Sequence, residues 1–424
     1  MGAMLLMMVV AQQLNADQLA AQVDAANPNA RAAQFRVAAA RSTVRRAWAL
    51  DEPLVGVQLK EVPTDPRMWM TPKAALAQPM VMGQVGWMVP LSGMPFSRAR
   101  MAEAMADMAR ADERMTRVGL RRVARVAFWE LWLNTEALRI NTEAAETLAA
   151  IEESALAQYA SGKPMHHGVL RVQAERELIK VEALTLEQQS GALVALINSL
   201  RATPSAKMEI LNARLTPRRV MDEPQLMAQA VSARPELAMA RARQASAQAE
   251  RTMAMRALIP DPMVMAMAEA RPLDIPTGMG AMGVPLPMTP MVGVGITIPL
   301  PVFAPWRQLT DADAARSRER AAVEDGRAAE QTIAAELRTV LVRVSILEQR
   351  EELIVKSLEP RAHESLEAAL AALGAGQASA LEVLESRRQL QGIELELATV
   401  RAEREAALAE LDAVLGVAGP EVRP

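Results

Sequence analysis

The chain of 424 residues has no cysteine, three histidines, one tyrosine, four phenylalanines and six tryptophans. Without cysteine there is no disulfide, no thiolate metal site and no lipid-modified N-terminal cysteine in this numbering. Aromatics make up 3% of residues, whereas a compact enzyme core of this size would draw on more of them, because each buries a large area. A formal net charge of −3 leaves no basic footprint for nucleic acid. A Gly-rich phosphate loop and a nucleophile elbow are both missing. These absences exclude the common catalytic constellations, and the chain reads as a non-enzyme that uses no cofactor. Beyond the apolar run Met1–Ala11, no stretch approaches the ~18 consecutive apolar residues of a membrane helix. Contact with a bilayer therefore falls to strands.

Residues 1–11 are themselves expected to be a signal segment, since Val9-Val10-Ala11 forms a small-residue cleavage site before Gln12-Gln13. The basic stretch that normally precedes such a segment is missing.

What the chain does contain is alanine, leucine, glutamate, arginine and glutamine, which lose little entropy in long helices. It also contains an internal repeat. Pro53, Val85, Gly86, Pro90, Leu91 and Arg98 recur as Pro262, Val294, Gly295, Pro299, Leu300 and Arg307, every pair 209 positions apart. Further on, Gly162, Val169 and Leu170 recur as Gly376, Val383 and Leu384, now 214 apart. Asn27-Pro28 near the start of one half mirrors Arg234-Pro235 in the other. A constant offset with one small shift is the signature of tandem duplication. The spacing predicts two repeats, 15–203 and 223–417, joined by a proline-bearing linker over 204–222.

Each half reads alike. A helix (about 29–49 and 235–258) stops at Asp51-Glu52-Pro53 or Pro260-Asp261-Pro262, where proline denies the next backbone bond. A hairpin region follows, about 53–91 and 262–300, rich in Pro, Gly, Val and Met. Its clearest strands are 81–89 and 291–298, in which larger and smaller residues alternate. A long helix comes next (about 97–160 and 307–373); at 1.5 Å per residue each would reach on the order of 95–100 Å. Turns at Ser161-Gly162-Lys163-Pro164 and Gly374-Ala375-Gly376 lead to returning helices over 167–202 and 379–415. In the last, Leu390, Ile393, Leu397, Val400, Ala407, Leu411 and Val414 trace a coiled-coil seam interrupted by Arg404. Two hairpins supply four strands, which cannot close a barrel alone, and an open edge in lipid costs several kcal/mol per unpaired group. Copies of the chain must combine, and three of them would give twelve strands.

Over about residues 15–417 the chain resembles the TolC-type outer membrane efflux protein family. The resemblance rests on Arg234-Pro235-Glu236-Leu237, Pro260-Asp261-Pro262, the Val-Gly-x-x-x-Pro-Leu return strand, and Gly376-Gln-Ala-Ser-Ala-Leu-Glu-Val-Leu-Glu385 with Arg388-Gln-Leu390 behind it. It implies a mainly α fold with a membrane β-barrel: tandem helix–hairpin–helix repeats forming a trimeric 12-stranded barrel and a long α-helical coiled-coil tunnel. It also implies a passive channel in the outer membrane of a Gram-negative bacterium, with a large periplasmic part. The partners it implies are two further copies of the chain, outer-membrane lipid, a periplasmic adaptor protein and an inner-membrane RND-type transporter. The tip turns Ser161, Gly162, Lys163 and Ala375, Gly376, Gln377 match the family's adaptor-contact positions, and Glu382 and Glu385 match its acidic pore constriction. Leu373 and Ala378 depart from the Tyr and Arg that latch the gate in some members. The first repeat has Gly168 where an acidic partner would sit.

Methionine occurs 28 times, ten of them between Met68 and Met115 and nine between Met253 and Met291, so it marks the hairpins and their flanks. Thioethers suit soft ions, and Met263, Met265 and Met267 share one face of a strand. Packing or lipid-facing methionine is the competing reading. Met165, His166 and His167 beside the first tip form a second candidate foothold for metal. The segment Pro-Leu-Pro-Val-Phe-Ala-Pro-Trp at 299–306 resembles the heavy-metal branch of the family, which implies heavy-metal cations as cargo. The same channel could instead serve drug or polypeptide export. A soluble coiled-coil scaffold is a third class, against which hairpins between long helices argue.

Overall fold

A computed structural model describes residues 14–60, 80–160, 166–204, 213–218, 221–272, 288–300, 302–303 and 306–417. The expected signal segment, the first tip turn and Met165 lie outside the described residues, as does the side chain of His166.

The elements run in the same order twice. In the first half α1 (Ala16–Ala26) and α2 (Pro28–Ala47) precede β1 (Leu54–Lys60) and β2 (Met80–Met88), then α3 (Met94–Ala160) and α4 (His166–Leu200). In the second, α5 (Glu223–Ala233) and α6 (Pro235–Arg256) precede β3 (Met263–Pro272) and β4 (Met288–Thr297), then α7 (Gln308–Leu353), a π-helical turn (Ile354–Leu358), α8 (Glu359–Gly374) and α9 (Ala380–Val414).

The short helices α1 and α5 were not distinct in the sequence pattern. Asn15 starts α1 with a reciprocal capping box: its side chain accepts from Gln18 N–H at 2.7 Å, and Gln18 Oε1 accepts from Asn15 N–H at 3.2 Å. Such a box satisfies two otherwise orphaned donors. Each short helix then passes through an extended residue, Asn27 or Arg234, into a helix that begins with proline. Proline suits that position because its missing N–H would have had no helical partner. Asn27 holds the first junction, its Nδ2 donating to Leu200 O at 3.0 Å and its Oδ1 accepting from Asn29 N–H at 2.8 Å. Arg234 holds the second through Glu236 (3.0 Å) and Glu336 (2.6 Å).

The long stretch expected at 307–373 is not one regular helix. Glu359 N–H reaches back five residues to Ile354 O, which opens a π turn just before Pro360. Proline has no N–H and its ring collides with the carbonyl four residues earlier, so a widened turn accommodates it. By contrast α3 continues for 67 residues without a break.

Two compact units emerge, each drawing on both halves of the chain. One comprises residues 1–37, 109–239 and 327–424, the other 38–108 and 240–326. In the first unit three clusters form the core. Leu19, Val23, Phe128, Trp129, Leu131 and Ile197 pack α1 against α3 and α4. Leu237, Leu337, Val344, Val400 and Leu411 do the same for α6, α7 and α9. Toward the tips, Leu148, Ile151, Val172, Leu366, Leu373, Val383 and Leu384 join α3, α4, α8 and α9.

The second unit holds one four-stranded antiparallel sheet in the order β1-β2-β3-β4. Its register pairs Leu54 with Gly86, Met88 with Met263, and Met263 with Thr297. Among the described residues, no helix is long and apolar enough to cross a membrane.

Candidate functional site

Side chains alternate across a strand, so the register sorts the sheet into two faces. One face carries Val55, Val57 and Leu59, then Val81, Val85 and Trp87, then Val264, Ala266, Ala268 and Ala270, then Pro290, Val292, Val294 and Ile296. That row holds no charged residue, yet Val55 is 76% exposed, Val292 80% and Val294 76%. An apolar sheet face left this open needs an apolar neighbour. The other face carries Gln58 and Lys60, then Met82, Gln84 and Met88, then Met263, Met265, Met267 and Glu269, then Met291 and Thr297. The three predicted methionines of β3 therefore share a face with amides and charges and turn away from the valine face.

Among the described residues, both edges of the sheet, β1 and β4, lack a partner strand. At the helical end of the sheet, paired corners hold the strands. Asp261 Oδ1 accepts from Ser92 N–H and Oδ2 from Ser92 Oγ, both at 2.7 Å, and Val89 N–H donates to Pro262 O at 2.9 Å. The Pro260-Asp261-Pro262 signature thus fastens the end of β2 to the start of β3. Gly93, at φ +68, completes that turn, and its carbonyl accepts from Arg256 Nη1 at 2.6 Å. Asp51 supports the outer corner, its carbonyl accepting from Trp87 Nε1 (3.0 Å) and its carboxylate from Arg98 (3.2 Å).

At the second tip Gly376 takes φ +73. Its N–H donates to Leu373 O (3.0 Å) and Gln377 N–H to Ala372 O (2.9 Å), the paired bonds of a Schellman cap. Ala375, Gly376, Gln377 and Ala378 form the turn, and Ser379 then caps α9. Glu382 closes a box with that serine: Ser379 Oγ donates to Glu382 Oε1 at 2.9 Å and accepts from Glu382 N–H at 3.3 Å. Glu385, one turn later, is exposed beside Arg388. Arg388 is itself bound by Glu175 of α4, whose carboxylate raises the guanidinium pKa above its ordinary value. The two glutamates share an exposed face near the tip.

A buried polar cluster around Arg404 was not legible as such. Arg404 lies within the α9 seam at 4% exposure. It donates to Glu351 Oε2 (2.6 Å), Glu405 Oε1 (2.7 Å) and Thr216 O (2.6 Å). Glu405 in turn accepts from Thr216 N–H and Oγ1, both at 2.7 Å. Burial alone would raise the Glu351 pKa, but the Arg401 hydrogen bond and the charges of Arg404, Arg401 and Arg218 outweigh it and hold the carboxyl below its ordinary range. Burial pulls Arg404 down, and Glu405 and Glu351 more than reverse that. The cluster straps segment 213–218, between the halves, onto α9. Gly416 ends that helix at φ +67, and a Cβ there would stand 2.8 Å from Ala233 O. Among the described residues no group of three or more His, Asp or Glu could hold a metal ion, and His167 has no such company.

Residues 226–417 match the family model described as outer membrane efflux protein. Over 94% of its length the chain shares the fold of CusC, a structure described for transmembrane channel formation: TM-score 0.76 at 15% identity, covering 91% of that chain. VceC of Vibrio cholerae, an outer membrane protein, gives 0.76 at 17% identity over 95% and 96%. The Campylobacter jejuni CmeC outer membrane channel gives 0.73 at 13% over 96% and 87%. No curated protein matches the sequence. The family and these neighbours are channels rather than enzymes.

Proposed function

We propose that the chain is one protomer of a trimeric outer-membrane channel, the passive exit duct of a tripartite efflux pump. The observation that carries this reading is the sheet: apolar along one exposed face, mixed polar and thioether on the other, and, among the described residues, unpaired at both edges. In lipid the edges must be closed. Pairing β4 of one copy with β1 of the next closes them, and three copies supply twelve strands, an even number within the bacterial range. Exposed apolar rows on the helices have the spacing of further contacts between copies: Leu178, Val181 and Leu184 on α4, and Val342 and Ile346 on α7. In this reading the halves 15–203 and 223–417 are copies of one unit, and the helical tips at Ser161–Lys163 and Ala375–Gln377 receive a periplasmic adaptor. An RND-type transporter supplies the energy. Six carboxylates from Glu382 and Glu385 would ring the tunnel and favour cations.

Heavy-metal cations are the cargo that the methionine-rich hairpins suit best, since thioethers are soft donors. A soluble scaffold would have no use for an exposed face of Val55, Val57, Val292, Val294 and Ile296. The test is fractionation and native mass. The protein should partition with outer membranes, run as a trimer in mild detergent and conduct ions in planar bilayers. A monodisperse soluble monomer without detergent would overturn the reading.

A further inference from the structure

The faces of the sheet are not equally endowed with methionine. Among the described residues of the strands, Met80, Met82, Met88, Met263, Met265, Met267 and Met291 stand at register positions of the polar row, and Met288, opposite Pro272 at the far end of β4, is the one in register with the apolar row. Methionine used simply as an adaptable hydrophobe would fall on the valine face as readily, because that face is where apolar area is wanted. Its concentration on the face that also carries Gln58, Lys60, Gln84, Glu269 and Thr297 needs a different reason.

The neighbours of the β3 methionines supply it. Met265 lies between Gly86 of β2 and Gly295 of β4, directly opposite both. A Cβ at Gly86 would meet Met263 Cε and Met265 Cγ, each at 3.2 Å; one at Gly295 would meet Met267 Cε at 3.0 Å and Met265 Cε at 3.7 Å. Consecutive methionines of the row therefore lean over the same glycine, Met263 with Met265 on one side and Met265 with Met267 on the other. Side chains two apart on a strand start about 6.6–6.8 Å from each other, and the cleared glycines let the thioethers close that gap. At the end of the row Glu269 sits opposite Met82 on one strand and Met291 on the other, which puts a carboxylate beside two further thioethers.

We propose that this row is a ladder of weak, overlapping sites for soft monovalent cations of the Cu(I) and Ag(I) class, lining the exit of the channel. The inference rests on the channel reading, because that reading turns the polar face toward the lumen. Two thioethers per rung and a sulfur shared between rungs match the ligand preference of such ions. Conduction requires sites that an ion can enter and leave, and neutral thioethers meet that need better than thiolates would. The Glu269 carboxylate offsets the charge at one end.

The test uses Ag(I) itself, in chloride-free nitrate buffer, on the purified full-length protein in detergent. Bound silver is measured at equilibrium by dialysis against buffered Ag(I), and its ligands by X-ray absorption. The wild type should retain silver with sulfur neighbours. Met263→Leu/Met265→Leu/Met267→Leu, which keeps side-chain volume, should weaken retention at least tenfold. Met101→Leu/Met105→Leu/Met108→Leu in α3 should leave it unchanged, and excess Zn(II) should not displace the silver. Equal retention by wild type and the β3 variant, oxygen or nitrogen neighbours alone, release by Zn(II), or no retention at all would overturn the proposal. Bilayer conductance of both proteins separates this failure from that of the channel reading. Unchanged conductance with equal silver retention removes only the ladder, whereas a wild type without conductance removes the channel whatever the silver result.

Discussion

Removing the Glu351 carboxylate should release the strap between the two halves of the chain. Glu351→Ala deletes the bonds from Arg404 Nη1 at 2.6 Å and Arg401 Nε at 3.1 Å, at a site where the carboxylate side chain is only 10% exposed. Charge-assisted hydrogen bonds contribute about 1.5–3 kcal/mol each. Arg404 keeps Glu405 and the Thr216 carbonyl, so the loss is less than the sum of two bonds, about 2–4 kcal/mol by the same scale. At 1.4 kcal/mol per factor of ten, opening of segment 213–218 should become roughly 30-fold to several-hundred-fold more frequent. Hydrogen exchange at the Thr216 amide, which donates to Glu405, reads that opening directly. Glu352→Ala, removing a neighbour that pairs with Lys356 and Arg218 at the surface, should leave Thr216 exchange unchanged. The pH dependence has a fixed sign. The folded-state pKa of Glu351 is depressed, so its stabilisation is fully present above the unfolded value of about 4.3 and is lost as pH falls through the folded value. Wild-type protection at Thr216 should therefore hold from neutrality down to about pH 4.3 and decline below it, while the variant shows no such step. Equal Thr216 exchange in wild type and Glu351→Ala would refute the account of the strap.

Glu382→Gln with Glu385→Gln should lower cation preference in planar bilayers, and added salt should shrink the difference, since screening acts over about 8–10 Å; identical reversal potentials at low and high salt would show that these carboxylates face away from the lumen. A Gly162→Trp/Gly376→Trp variant should impair coupling to the adaptor, measured as efflux in cells, while bilayer conductance persists. Normal efflux would reduce the tips to helix caps. Asp261→Ala removes both acceptors of Ser92 and should destabilise the sheet corner by about 2–4 kcal/mol, read as a lower temperature of trimer dissociation. An unchanged temperature would mean that the corner is held by the strand bonds alone.

Much of the fold was legible because its signals are local and occur twice. Pro53 and Pro262 stand immediately before the first strand of each hairpin, Val292-Gly-Val-Gly-Ile296 alternates at the period of a strand, and Gly376 marks a left-handed cap. Strands expected at 81–89 and 291–298 appear at Met80–Met88 and Met288–Thr297. What escaped was non-local or conflicted with the period. Arg404 read as an interruption of an apolar seam because its carboxylate partner Glu351 lies 53 positions away and Thr216 lies 188 away. The π turn before Pro360 was open to detection, since an interior proline is itself the signal. Helices α1 and α5 are too short for periodicity to separate them from the longer helices that follow. The methionine faces could not be assigned until the pairing of β3 with β2 and β4 fixed which residues oppose each other. A one-residue slip would have exchanged the faces.

The central claim is that copies of the chain close a barrel through β1 and β4. The chain has no cysteine, so engineered thiols report without background. Val57→Cys on β1 can be combined in turn with Val292→Cys, Val294→Cys or Ile296→Cys on β4, all on the apolar face. Residues on the same face of paired strands stand opposite each other at Cα separations of about 4.5–5.5 Å, within the range that a disulfide bridges. Oxidation in outer membranes, read on non-reducing gels, should give for at least one of these pairs a covalent ladder that stops at three subunits. No crosslink from any pair, or a ladder that continues past three, would contradict the trimeric barrel.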